Sequence, residues 1–124
     1  MTKLKINIFI MTLLLSLISF NSIASQKIEI VAGSYYFNPD HILVKIGSPV
    51  EISLVKEAGF VPHNIVVSDP DNNVIFEQEV TEEKTIVIFT PKKIGDYKMY
   101  CDNQLLFFKS HREKGMKGVI QVEK

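Results

Sequence analysis

Residues 42–55, Ile-Leu-Val-Lys-Ile-Gly-Ser-Pro-Val-Glu-Ile-Ser-Leu-Val, hold two short apolar runs separated by the turn residues Gly47, Ser48 and Pro49. From Val50 to Val55 apolar and polar residues alternate, which is the period of a strand with one buried face. Similar runs, rich in Val, Ile, Tyr and Phe, recur at 27–31, 36–37, 63–67, 74–76, 84–89, 96–101 and 118–122. The pattern predicts an all-β protein, an antiparallel β-sandwich. The one segment that could form a short helix is Gln104–Gly115, in the loop before the last strand.

The composition suits one small folded domain. The 124 residues are 46% hydrophobic and 23% charged, which excludes a disordered chain and leaves room for one domain only. The 14 basic and 14 acidic residues balance, so no nucleic-acid-binding surface is expected. Cys101 is the single cysteine, which excludes an internal disulfide framework and a zinc ribbon built from cysteine pairs.

Residues 1–24 are predicted to be a secretory signal peptide. Lys3 and Lys5 precede the apolar run 6–20, and Ser22 and Ala24 provide small residues at a cleavage point. The run is shorter than the ~20 residues that span a bilayer. We therefore expect a mature domain at 25–124 that is periplasmic or secreted, with no membrane attachment after cleavage.

Few side chains of the mature domain suit a soft or borderline metal: His41, His63, Met99, Cys101, His111 and Met116. Two imidazoles, a thiolate and a weak axial thioether make a type 1 copper site. Taken singly, each residue also has a structural explanation, because a lone Cys or Met commonly packs in a core. His41 follows a turn and is expected to be exposed. A hydrolase that uses Cys101 as nucleophile is disfavoured because no oxyanion-hole pattern is present.

Several segments together resemble the cupredoxin family, the small blue copper proteins. They are Phe37-Asn38-Pro39, 42–47, Pro62-His63-Asn64, 95–101 and His111-x4-Met116 with 118–122. The resemblance implies a Greek-key β-sandwich with one type 1 copper per chain, held by His63, Cys101, His111 and Met116. It also implies that the backbone N–H of Asn64 donates to the thiolate sulfur and that Met99 packs in the core.

The loop between Cys101 and His111 departs from the family's common spacings. Nine residues, Asp102–Ser110, separate the two ligands, whereas plastocyanin-like proteins have two and other members of the family have four. The colour of the site, blue or green, therefore stays open. The loop contains Leu105, Leu106, Phe107 and Phe108, which either fill the end of the core or form a docking surface over the copper. Tyr100 matches an outward-facing family position and offers a second exit for electrons.

The resemblance implies an electron carrier that is not an enzyme and works as a monomer. Its partners would be redox proteins such as c-type cytochromes or copper oxidases and reductases. A copper nitrite reductase is disfavoured, because its catalysis needs a further copper centre and the chain has only 3 histidines. The alternative is a periplasmic cupredoxin for copper tolerance or copper delivery. A positive cluster, Lys109, Arg112, Lys114 and Lys117, is expected to steer an acidic partner.

Overall fold

The computed structural model describes Ser19 and residues 23–124, so the predicted signal peptide lies almost wholly outside the described residues. Nine strands follow one another along the described chain. They are β1 (Gln26–Gly33), β2 (Tyr36–Asn38), β3 (His41–Lys45), β4 (Val50–Lys56), β5 (His63–Ser68), β6 (Val74–Val80), β7 (Thr85–Phe89), β8 (Gly95–Tyr100) and β9 (Lys117–Glu123). The predicted all-β class is confirmed, and each predicted run coincides with a strand. The described chain has no helix that could span a membrane.

The strands form two sheets that enclose one core. The first sheet has the order β2-β1-β4-β7 and the second has the order β3-β9-β8-β5-β6. Alternating side chains supply the core from both sheets, such as Ile52 and Leu54 from β4 and Ile65 and Val67 from β5, all of them fully buried. The sandwich predicted from the alternation is therefore present, with the apolar faces packed on each other.

The sandwich is mixed rather than wholly antiparallel, which corrects the prediction. β1 pairs with β4 in parallel, and β3 pairs with β9 in parallel. The remaining pairings are antiparallel. Alternation reports which face of a strand is buried but carries no information on the direction of its neighbour, so the sequence pattern could not reveal the two parallel pairs.

The short helix left open between Gln104 and Gly115 does not form. The segment consists of turns, with i to i+3 bonds from Phe108 N–H to Leu105 and from Gly115 N–H to Arg112. Leu106 and Gly115 have φ angles of 49° and 101°, and this left-handed backbone cannot belong to a right-handed helix. The helix-like spacing of apolar residues in this loop therefore does not correspond to a buried face of a helix.

Candidate metal centre

Three strand ends lie together at one end of the second sheet. β5 pairs antiparallel with β8, and β8 pairs antiparallel with β9. The start of β5, the end of β8 and the start of β9 therefore lie at the same end of the sandwich. His63 begins β5, Cys101 directly follows β8, and Met116 directly precedes β9. The fold thus brings together residues that lie 53 positions apart in the chain.

The donor atoms of His63, Cys101 and His111 all lie within 4.8 Å of one another. The Nδ1 atoms of the two histidines are 3.2 Å apart, and His111 Nδ1 is 3.4 Å from Cys101 Sγ. The side chains are buried, with exposed fractions of 3%, 0% and 4% in chain order. Three potential metal ligands thus converge on one point inside the protein.

Backbone hydrogen bonds join Met116 to this cluster. The Met116 N–H donates to the His111 carbonyl at 3.0 Å, and the Cys101 N–H donates to the Met116 carbonyl at 3.1 Å. The His111 N–H donates to the Asn103 carbonyl at 2.8 Å, which closes the long loop. Met116 is fully buried and belongs to the same core cluster as Cys101. The loop therefore holds three of the four predicted ligands by its own hydrogen bonds.

Asn64 forms hydrogen bonds with Cys101 and with the residues around it. Its backbone N–H points at Cys101 Sγ at 3.5 Å, as the resemblance implies. Its side-chain carbonyl accepts from the Asp102 N–H at 3.0 Å, and its amide donates to the Asp102 and Glu77 carboxylates. Such contacts orient a ligand and tune its electron density.

Burial keeps both imidazoles neutral. It lowers the pKa of His63 to about 4, helped by the neighbouring His111 and by the positive charge of Lys56. Burial also lowers the pKa of His111, and the charge of Lys114 adds to this effect. At neutral pH both rings therefore offer a lone pair to a metal.

Burial raises the pKa of the Cys101 thiol, although the backbone N–H groups of Asn64 and Asn103 oppose the rise. A metal cation favours the thiolate form, so metal binding at this sulfur releases a proton. Two neutral imidazoles, a buried sulfur and a nearby buried thioether fit copper better than a hard cation, which prefers oxygen ligands.

The other candidate ligands are placed elsewhere. His41 is exposed, and its Nε2 lies 3.2 Å from Gln121 Oε1. Met99 is fully buried within β8 and packs in the core, as predicted. A Cβ at Gly118 would lie 2.4 Å from the Met99 methyl group, so Met99 fills the space that this glycine leaves open.

The four apolar loop residues lie on the surface. Leu105, Leu106, Phe107 and Phe108 have exposed fractions of 66%, 76%, 101% and 62%. The interpretation that they fill the end of the core is therefore wrong, because the turns of the loop point them outward. Together with Phe60, which is fully exposed, they form an apolar rim. Contiguous exposed apolar surface is typical of interaction sites, so this rim is a candidate docking surface.

A groove of about 370 Å³ lies within this rim. Its lining includes Val61, Pro62, Leu105 and Phe108 together with His111, one of the three converging donor residues. The sequence analysis missed the contribution of Phe60 and Val61, although their position just before Pro62-His63 could have indicated it. Tyr100 is half-buried, and the Arg112 guanidinium lies 4.1 Å from its ring centroid.

Comparison of the sequence with known protein families identifies the family of this chain. The sequence model of the family described as Cupredoxin-like domain matches residues 6–122. The chain therefore belongs to the cupredoxin-like domain family, which confirms the resemblance. The predicted cofactor, copper, is confirmed by family membership together with the donor set. No curated protein matches the chain significantly.

Several solved structures share the fold. A reduced auracyanin from the photosynthetic bacterium Roseiflexus castenholzii is 21% identical, with a TM-score of 0.67 over 82% of this chain and 99% of that one. Auracyanin A of Chloroflexus aurantiacus, described as a "blue" copper protein, is 19% identical, with a TM-score of 0.65 over 81% and 100%. The metal-binding domain of a Cu(I)-exporting P-type ATPase from Streptococcus pneumoniae, solved with Cu(I), is 21% identical, with a TM-score of 0.60 over 86% and 92%. Because the identities are this low, these matches establish a shared fold and nothing more.

The buried imidazoles predict a pH-dependent stability of the metal-free protein. His63 has a pKa of about 4 when folded and about 6.5 when unfolded, so the unfolded state takes up its proton first as the pH falls. The stability present above pH 6.5 should decline by about 2 kcal/mol between pH 7.5 and pH 5. Urea unfolding at the two pH values measures this loss.

His63→Gln should reduce the loss, whereas the matched change at the exposed histidine, His41→Gln, should leave it as in the wild type. An equal pH dependence in all three proteins would contradict the assignment of the loss to His63.

Proposed function

We propose that this chain is an exported copper protein that carries single electrons between redox partners. His63, Cys101, His111 and Met116 would hold one type 1 copper, which supplies the Cu(I)/Cu(II) couple when bound. The observation that carries the proposal is the convergence of three buried donors within 4.8 Å at one end of the sandwich. The chain would act as a carrier rather than as an enzyme.

The donor set suits both oxidation states of copper. The Cys101 thiolate and the Met116 thioether are soft donors that can bind Cu(I), while the two imidazoles also bind Cu(II). The backbone hydrogen bonds among Cys101, His111 and Met116 hold the loop in place. A site that is already shaped for both states needs little rearrangement when an electron arrives or leaves.

Burial of the ligands favours electron transfer over copper delivery. The side chains of His63, Cys101, His111 and Met116 are at most 4% exposed. A copper ion can pass to another protein only if a ligand of that protein reaches the metal, and burial obstructs this. An electron needs only a short distance to the surface. Copper tolerance or delivery, the alternative from the sequence, would need the loop to open.

The edge of His111 is the proposed exit for electrons. It lies in the lining of the groove, so a partner seated on the apolar rim comes close to a ligand. Tyr100, which follows Met99 in β8 and precedes Cys101, offers a second route. A small interface is sufficient for a short-lived redox encounter.

The proposed partners are acidic redox proteins, such as c-type cytochromes or copper oxidases and reductases. Four exposed basic residues would attract a negative surface toward the end of the sandwich that carries the apolar rim and speed its approach. They are Lys109, Arg112, Lys114 and Lys117. The export predicted from residues 1–24 would place the chain in the periplasm or outside the cell. N-terminal sequencing tests this, and a protein that still begins at Met1 would contradict it.

Two fully buried methionines allow a matched test of the axial ligand. Met116→Leu should leave copper bound by the three strong ligands and raise the reduction potential, because the loss of an electron donor destabilises the more highly charged Cu(II) more than it destabilises Cu(I). Met99→Leu should leave the potential unchanged, because Met99 packs in the core. Voltammetry of both proteins decides the assignment, and a shift that appears with Met99→Leu alone would contradict it.

Two equally exposed apolar residues test the docking surface. Phe108 on the rim and Ile88 on β7 are both 62% exposed. Phe108→Ser should slow electron transfer to the partner roughly tenfold without changing the potential, since about 1.4 kcal/mol of contact is a factor of ten. Ile88→Ser should have no effect.

Stopped-flow measurements across ionic strength provide the second readout. The rate should fall as salt rises, and Lys109→Glu with Lys117→Glu should weaken that dependence. An electron-transfer rate that changes neither with Phe108→Ser nor with salt would contradict docking at the apolar rim. Copper sensitivity of a deletion strain, with no reactive redox partner, would favour the copper-tolerance alternative.

A further inference from the structure

Tyr35 forms an aromatic wall beside the two donor imidazoles. Its ring meets the His111 ring edge-on, with centroids 5.0 Å apart and planes at 74°. It meets the His63 ring at 6.5 Å and 83°. Tyr35 lies in the turn between β1 and β2, 28 residues before His63 in the chain, and no metal-ligand pattern in the sequence singles it out.

The backbone of Tyr35 is held in an uncommon conformation. Its φ angle is 65°, in the left-handed region that bulky side chains rarely occupy. Packing compensates for this strain, because the Tyr35 ring rests against the buried core as well as against the imidazoles. A strained residue whose side chain is fixed against two donor rings indicates a role at the site.

Tyr35 also holds a cation. The Lys114 Nζ lies 4.4 Å from the centroid of its ring and donates to its hydroxyl oxygen at 3.3 Å. A cation over an aromatic face is attracted by the ring's negative charge distribution. Lys114 lies on the short segment between His111 and Met116. Lys109 and Lys117, of the same positive cluster, make no ion pair or ring contact in the part of the chain that is described.

We propose that Tyr35 is a positioning residue that fixes the Lys114 ammonium beside the metal centre, and that this fixed positive charge raises the reduction potential. The inference rests on the proposed function, since it concerns the same copper site. A nearby positive charge repels Cu(II) more than Cu(I), so it favours the reduced state. Lys114 is exposed, so water and salt screen part of its charge, but contact with the ring keeps the ammonium at a fixed distance from the site, whereas a freely moving lysine would spend time farther away.

The position of Lys114 can be tested without metal. In the metal-free protein, NMR should show the Lys114 ε-methylene protons shifted upfield by the tyrosine ring. Tyr35→Phe keeps the ring and should preserve most of this shift, whereas Tyr35→Leu should abolish it. An unshifted Lys114 in the wild type would overturn the proposal.

The effect on the metal is tested by voltammetry of the copper-loaded protein. Lys114→Gln should lower the ratio of Cu(I) to Cu(II) at a fixed solution potential roughly threefold, which corresponds to a fall of about 28 mV at 59 mV per tenfold change. Lys109→Gln, which removes a charge from the same loop, is the matched control and should give less than half of that shift. Equal shifts for the two lysines would overturn the proposal.

A double-mutant cycle separates positioning from a general effect of charge. If Tyr35 acts by holding Lys114, then Lys114→Gln should have little further effect in a Tyr35→Leu background. Additive shifts would overturn the proposal. The visible absorption of the wild type distinguishes failure of the proposed function from failure of this inference. A missing thiolate-to-copper band would overturn both. A coloured protein whose reduction potential is unchanged by Lys114→Gln would overturn this inference alone.

Discussion

The antiparallel pairing of β8 with β5 on one side and β9 on the other is the constraint on which the rest of the site depends. It places His63, Cys101 and Met116 at one end of the sandwich although they are distant in sequence. His111 then reaches the same point because the loop closes on itself, through the bonds from His111 to Asn103 and from Met116 to His111. The site is thus built into the sheet, and the loop completes it.

The site concentrates polar groups in a part of the molecule that would otherwise be core. Two imidazoles, a thiol and the Asn64 amide are buried there, and buried polar groups are costly unless they find partners. Asn64 finds Asp102 and Glu77, while the imidazoles lie against each other and against the thiol. A metal bound by the two imidazoles and the thiolate would bind the folded state in preference to the unfolded one and stabilise it.

Much of the fold and of the candidate site could be predicted from the sequence, because strand alternation is a local signal and the order His…Cys…His…Met can be recognised along the chain without the fold. Strand direction could not, since the parallel pairings of β1 with β4 and of β3 with β9 depend on distant partners. The outward direction of Leu105–Phe108 could not either, because an apolar run looks alike in a core and on a rim. Tyr35 and its contact with Lys114 depend on two turns that meet only in the folded protein.

The central claim is that Cys101 is a copper ligand at this strand end, and the visible absorption spectrum of the Cu(II) protein tests it most directly. The wild type should show an intense thiolate-to-copper band between roughly 450 and 600 nm, and folded Cys101→Ser should lack it because the transition originates on the sulfur. A Cys101→Ser protein that keeps the band, or a copper-loaded wild type without it, would contradict the account.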